Sequence, residues 1–197
     1  MSKLALLNRL ANQSIISAWI QRQTNSAFLK KSGITEAKRC LEIGCGQGVG
    51  AQLLDDLLSC KEIIVTDIDP EVLALAKSKL KKEEIGRIKL QLANATNLPF
   101  RNGTFDLVFS SAVFHHIKDW QKAISEVARV LAPGGKFLLG ETYKPAFKNL
   151  IVRWFDQPEA IISLSVMLKT LKANNLHLIY IEGNENSIFV NLVAQKQ

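Results

Sequence analysis

An apolar run from Cys40 to Ile43 ends in glycines at alternate positions, Gly44, Gly46 and Gly48, and an apolar helical pattern begins at once with Val49. The order is strand, tight loop, helix. Glycine tolerates positive φ and lets a ligand approach the backbone where a Cβ would block it. The helix N-terminus behind the loop offers unpaired N–H groups to a polar ligand. One end of a small molecule is therefore expected over residues 44 to 48.

The same alternation continues along the chain. Strands are expected near 39–43, 62–67, 87–92, 105–110, 135–140, 176–181 and 187–194, and helices near 48–58, 70–82, 119–131 and 158–173. Pro70 suits a first helical turn, where its missing N–H would be unpaired anyway. Strand–helix alternation predicts a mostly parallel sheet covered on both faces. The short polar link Glu182 to Asn186 predicts an antiparallel hairpin at the sheet edge. Residues 1 to about 34 carry a helical pattern, with Leu4, Leu7, Leu10, Ile15, Ile16, Trp19 and Ile20 in helical register, and Gly33 ends it. No linker or repeat divides the 197 residues, so a single domain is expected.

Composition narrows the setting. Hydrophobic residues make up 47% and charged residues 22%, as in ordinary globular domains. No run of 18 or more apolar residues marks a membrane span, and no apolar h-region marks a signal peptide. Cys40, Cys45 and Cys60 are odd in number and fit neither a disulfide framework nor a zinc spacing, so a reducing, cytoplasmic setting and no metal are expected. The net charge is +7, but the basic residues are scattered and read first as a solvated surface. Attraction to anionic lipid headgroups or to nucleic acid are the functional alternatives.

Two ligand classes compete for the glycine loop. Gly46-Gln47-Gly48-Val49-Gly50-Ala51 fits a dinucleotide fingerprint, with Asp67 at the right offset. Glu42, however, lies two residues before Gly44. A carboxylate there repels a pyrophosphate and suits a cationic ligand. Asp67 ends the second strand, where a carboxylate accepts two hydrogen bonds at the spacing of a ribose diol. A helix cap is the other reading of Asp67, though Asp69, just before Pro70, is better placed for it. Ile68 is positioned to pack on an adenine face.

Glu42 to Gly48, read as Glu-x-Gly-x-Gly-x-Gly, resembles motif I of the class I S-adenosylmethionine (SAM) methyltransferases. Ala93 to Phe100 resembles that family's Asp-Ala-x-x-Leu-Pro-Phe segment, with Asn94 in place of the acid. Phe105 to Trp120 and Ala128 to Gly135 resemble the region that follows in type 11 methyltransferases, the ubiquinone and menaquinone methyltransferases among them. The match runs in order from residue 39 to about 141. It implies one Rossmann-like domain, a three-layer α/β sandwich. Its sheet would be mostly parallel and seven-stranded with an antiparallel edge strand, in the order 3-2-1-4-5-7-6. Residues 1–34 would form a helical lid and 35–197 the SAM-binding core.

The resemblance also implies a site. SAM, giving S-adenosylhomocysteine as product, would be held by Glu42, Gly44, Cys45, Gly46, Gly48, Asp67, Ile68, Asn94, Ala95 and Ser110. The Asn94 oxygen would accept from the adenine amine. His116 and His115 would lie where substrate meets the methyl group, with His116 the closer match. Neighbours on a helix point about 100° apart, so one of the two rings is expected to face the site. Glu141 and Tyr143 are secondary candidates. Large apolar residues at 1–34 and 142–157, among them Trp19, Phe28, Tyr143, Phe147, Ile151, Trp154 and Phe155, suggest either core or an apolar small-molecule pocket.

Three rivals are weighed. A tRNA or rRNA methyltransferase fits the charge, but Phe109-Ser110-Ser111-Ala112 stands where an Asn/Asp-Pro-Pro-Tyr signature would be, and no Pro-Cys pair is present. An NAD(P) oxidoreductase lacks Tyr-x-x-x-Lys, since Tyr143 and Lys144 are adjacent. A SAM-binding regulator without turnover remains the non-enzymatic alternative. Peripheral membrane contact is compatible with the charge, and no motif specifies an oligomeric state.

Overall fold

Cys40 to Ile43 and Ile63 to Thr66 are buried without the alternation of a half-exposed sheet. Continuous burial of this kind is what a parallel sheet with helices on both faces requires. The computed structural model describes residues 15–58, 60–80, 86–142, 160 and 162–197. In chain order the elements are α1 (Ile15–Lys31), β1 (Arg39–Ile43), α2 (Val49–Leu57), β2 (Glu62–Asp67), α3 (Pro70–Lys79), β3 (Ile88–Leu92), β4 (Phe105–Ser111), a 3₁₀ turn (Phe114–His116), α4 (Trp120–Val130), β5 (Leu131–Thr142), α5 (Leu164–Ala173), β6 (Leu176–Glu182) and β7 (Phe189–Lys196).

The seven strands lie in the order β3-β2-β1-β4-β5-β7-β6, as expected. The ladders from β3 to β5 are parallel, and β7 runs antiparallel to both β5 and β6. The reversed strand therefore sits one position in from the edge. β1 and β4 are neighbours, with β2 and β3 laid out on one side and β5 on the other. That reversal of direction leaves a crevice at their carboxyl ends, the usual ligand position in such sheets.

Residue parity along the strands assigns the two faces. Leu41, Ile43, Val108, Phe137 and Leu139 pack under α4 and α5. Cys40, Ile63, Val65, Leu107 and Phe109 pack under α1, α2 and α3, with Phe28 and Leu29 of α1 fully buried among them. Glu42 shares the parity of Cys40 and so points into that second layer. Local chemistry sets the helix starts. The Asp69 side chain accepts from Glu71 N–H at 2.8 Å with Pro70 following, and the Ser163 hydroxyl accepts from Val166 N–H at 3.4 Å.

Two expectations need correction. β5 begins at Leu131 rather than Gly135. Leu131 pairs with Phe105, and pairing resumes only at Leu107 with Lys136, so Ala132 to Gly135 bulge out of the ladder. Pro133 has no N–H to donate, and Gly134 takes a φ of 77°, which suits the pair to a bulge. The second correction concerns the cysteines. Cys40 and Cys60 form a disulfide, with Cα atoms 6.6 Å apart, between the start of β1 and the residues leading into β2. Adjacent parallel strands bring the two together, a proximity that spacing alone does not reveal. The pairing removes the support that the cysteine pattern lent to a reducing setting.

Among the described residues no helix is long and apolar enough to cross a membrane. Residues 1–14 and 143–159 lie outside the described residues, and with them the expected N-terminal leucine pattern and the candidates Tyr143, Phe147, Ile151, Trp154 and Phe155.

Candidate active site

Above the carboxyl ends of β1 and β4 the loops enclose a cavity of about 680 Å³, the size of a small-molecule site. The glycine loop forms its floor. Gly44 N–H donates to Thr66 O at 2.8 Å, and Gly48 N–H donates to Cys45 O at 2.7 Å, which closes the turn. Gly44 has a φ of 76°, and a Cβ there would stand 2.3 Å from a Val113 methyl. A Cβ on Gly50 would stand 1.9 Å from Glu42 Oε1. Gly44 thus lets the His-bearing loop close over β1, and Gly50 lets α2 settle on the Glu42 carboxyl.

Glu42 is 3% exposed and lines the cavity. Its Oε2 has no hydrogen-bond partner, the one such buried side-chain atom among the described residues. Burial pushes its carboxyl up to about 8; the Ala51 N–H pulls the other way, and the negative charge of Asp67 adds to the rise. An orphaned buried acceptor beside a second carboxylate is a place for a cation.

Asp67 holds the loop. Its Oδ2 accepts from Cys45 N–H at 3.2 Å and its Oδ1 from Asp69 N–H at 3.0 Å. The Cys45 thiol lies 3.7 Å from the same Oδ2, and burial together with the two nearby carboxylates drives its titration upward. That suppresses thiolate character in a buried thiol that lines the cavity. Ile68 is largely exposed and faces the cavity with Val72 and Leu75, forming an apolar shelf. Asn94 and Ala95 close the far side. The Asn94 Oδ1 already accepts from Thr96 N–H and Oγ1, each at 2.9 Å, so it stabilises its own loop. An adenine amine would have to share that oxygen.

Gly48 and Ser110 are not brought to the cavity surface. Gly48 is the left-handed N-cap of α2, close to Ala76. Ser110 is fully buried, and its hydroxyl donates to Ile43 O at 3.1 Å across the β1–β4 ladder. Ser111, one residue on, lines the cavity instead.

The histidines depart from helical geometry. His115 and His116 both line the cavity, with ring centroids 4.0 Å apart at 48°. A three-residue 3₁₀ turn lacks the 3.6-residue pitch on which divergent rings were expected. His115 is buried and its Nδ1 contacts Glu141 Oε1, whereas His116 is exposed at the mouth. Glu141 is fully buried and also accepts from Phe114 N–H and Thr142 N–H, both at 2.6 Å.

Other cavity residues carried no motif. Asn25 of α1 is nearly buried and lines the cavity, and its Oδ1 accepts from the Ser111 hydroxyl at 2.9 Å. Gln47 Nε2 donates to Ser17 Oγ at 3.2 Å. These contacts fasten α1 over the glycine loop. The only sequence signal was a polar residue three positions before Phe28 on the buried side of a helix. Of the aromatic lid candidates within the described residues, Phe28 is core and Trp19 is 62% exposed, so neither lines the cavity.

A family model described as a methyltransferase domain matches residues 41–139. A demethylmenaquinone methyltransferase of Thermus thermophilus is 33% identical over 140 residues, covering 71% of this chain and 61% of the relative. The ubiquinone/menaquinone biosynthesis C-methyltransferase UbiE of a Geobacter species is 32% identical over 155 residues, covering 76% and 64%. The solved phosphoethanolamine N-methyltransferase 2 of Haemonchus contortus, in complex with S-adenosyl-L-methionine, has the same fold, with a TM-score of 0.75 at 22% identity over 88% of this chain and 52% of that one. The chain spans about three fifths of the length of the curated relatives it matches.

Proposed function

The chain belongs to the methyltransferase domain family, and from that premise we propose that it transfers a methyl group from SAM to a small, apolar acceptor of the quinol or phenol class. SAM supplies a methyl carried on a sulfonium that departs as a neutral thioether, so the protein's task is positioning and exclusion of water. The observation that carries the reading is the buried Glu42 Oε2, unpartnered at the cavity wall. SAM brings a cationic ammonium and no phosphate, which fits this acceptor, whereas a dinucleotide pyrophosphate does not.

The remaining roles follow from chemistry and place. Asp67 accepts hydrogen bonds from a ribose diol while keeping its bonds to Cys45 and Asp69. Ile68, Val72 and Leu75 support the adenine, and Asn94 and Ala95 bound it. The acceptor end is walled by Val113, Ile117, His115 and His116, a surface of apolar groups and imidazoles suited to an aromatic ring. The quinone-type relatives agree with that surface.

Calorimetry with S-adenosylhomocysteine and with NADH tests the cofactor assignment, and tight NADH binding with none for S-adenosylhomocysteine would overturn it. A turnover screen with quinols, phenols, fatty acids and tRNA tests the acceptor. Methylation of tRNA alone would replace the small-molecule reading by the nucleic-acid one.

A further inference from the structure

We propose that the side-chain amides of Asn25 and Gln21, one turn apart on α1, receive the α-carboxylate of SAM's methionyl group. The inference rests on the SAM reading of the cavity and adds to it a helix that lies outside residues 41–139 of the family match.

The methionyl group carries its ammonium and its carboxylate on one carbon. With the ammonium at Glu42, the donors for the carboxylate have to stand beside that residue. Glu42 points into the layer that α1 covers, and Phe109 of β4 points the same way. Ser111 shares the parity of Phe109 and so faces that layer as well. Ser110 is the last β4 residue paired with β1, opposite Ile43, so Ser111 stands level with the start of the glycine loop. Its hydroxyl donates to Asn25 Oδ1 at 2.9 Å, which places Asn25 at that level too. Gln21 lies four residues earlier on the same helix face, and both residues line the cavity.

The chemistry of the pair matches a carboxylate. Asn25 is 5% exposed. Its Oδ1 is held by Ser111, which fixes the amide, and its Nδ2 has no partner among the described residues yet is not sealed from the cavity. The half-buried Gln21 amide is likewise unpaired among the described residues. A carboxylate accepts two N–H donors at once. The glycine loop has spent three of its N–H groups inside the protein, that of Gly44 on Thr66 O, that of Cys45 on Asp67 and that of Gly48 on Cys45 O. Neutral donors also suit the place, because an Arg or Lys there would pair with Glu42 and compete with the ammonium. Lys118 is the one lysine or arginine among the described cavity residues, and it is exposed in the loop before α4.

The alternative is that the two amides only fasten α1 over the loop, as Ser17 does through Gln47. Calorimetry with two ligands separates the readings: S-adenosylhomocysteine, and its analogue that keeps the amine and lacks the carboxyl group. Wild-type protein should bind the first about 10–100-fold more tightly. Asn25→Asp keeps an acceptor for Ser111 but replaces the donor by a charge that repels a carboxylate. It should weaken S-adenosylhomocysteine binding by about tenfold or more and bind the amine analogue as well as wild type or better. Gln21→Ala should weaken S-adenosylhomocysteine binding by roughly three- to tenfold and leave the analogue unchanged. Equal wild-type affinity for the two ligands would overturn the proposal. So would a parallel loss of both ligands in the variants, the mark of a purely structural role. Tighter S-adenosylhomocysteine binding by Asn25→Asp would turn the amide oxygen toward the ammonium. A raised KM for the methyl acceptor with unmoved S-adenosylhomocysteine affinity would shift the pair to the acceptor end. Either result overturns the assignment. If Asn25→Asp does not fold, the wild-type ligand comparison and Gln21→Ala decide. Wild-type protein that binds neither ligand would instead sink the underlying SAM reading.

Discussion

Glu42 shows how one carboxyl couples stability to binding. Its folded titration point lies near 8 against an ordinary 4.5, chiefly because it is buried. The folded state therefore holds a proton that the unfolded state releases between those values. Stability contributed by the protonated form is fully present below about pH 4.5 and falls as pH rises toward 8, by an amount on the order of a few kcal/mol. Glu42→Gln removes that dependence and should raise the melting temperature at pH 8, while weakening SAM binding at least tenfold. A cationic ligand favours the ionised form, so SAM binding should release a proton and tighten as pH rises toward 8. Calorimetry in buffers of different ionisation enthalpy would detect that proton; no release at pH 7 would remove the ammonium from Glu42. Asp67 makes a contrasting case, because it is both a proposed ribose acceptor and a brace. Asp67→Ala should weaken S-adenosylhomocysteine binding by roughly 1.5–3 kcal/mol and also lower stability by about 1 kcal/mol, since Cys45 and Asp69 lose an acceptor. Unchanged affinity in calorimetry would place the ribose elsewhere.

At the scale of elements, α1 is joined to the site by polar contacts as well as by packing. Phe28 and Leu29 anchor it in the core, Arg22 pairs with Asp56 of α2 at 2.7 Å, and Lys31 pairs with Glu182 of β6. The exposed pairs contribute little. The Asn25–Ser111 bond is different, because Asn25 is nearly buried and Ser111 half-buried at the cavity wall, so losing the bond leaves Ser111 short of its partner. Asn25→Ala should destabilise by about 1–2 kcal/mol and speed amide exchange in α1 more than in β1 or β4. Uniform exchange rates across all three elements would mean that α1 is held by its aromatic anchor alone. The strands and the helices after them were legible as runs and caps, because each is set by local burial and by residues such as Asp69 and Pro70. The Leu131 start of β5 was hidden, because a bulge depends on the register of two strands far apart in the chain.

For the whole molecule, the disulfide joins the start of β1 to the residues before β2, on the helix face opposite α4. The Cys40→Ser, Cys60→Ser double variant should unfold at lower denaturant concentration, with about 2–4 kcal/mol less stability, and Cys45 should stay unreactive toward thiol reagents in the folded protein. Equal stability of oxidised and reduced wild-type protein would show that the bridge adds nothing to a core already closed. The amino-acid sequence alone determined the alternation of strands and helices, the sheet order through a family likeness, and the run of Glu42, Gly44, Cys45, Gly46 and Asp67 at one end of the sheet. These are set by short-range pattern, turn chemistry and the rule that strand ends meet at one crevice. Only the tertiary structure decided that Ser111 and not Ser110 lines the cavity, that the His115 and His116 rings lie side by side at a tilt, that Glu141 holds His115, and that Cys40 meets Cys60. Each of those depends on distance between groups remote in sequence, and on how a short turn or a bulge rotates a side chain, and neither is carried by spacing along the chain.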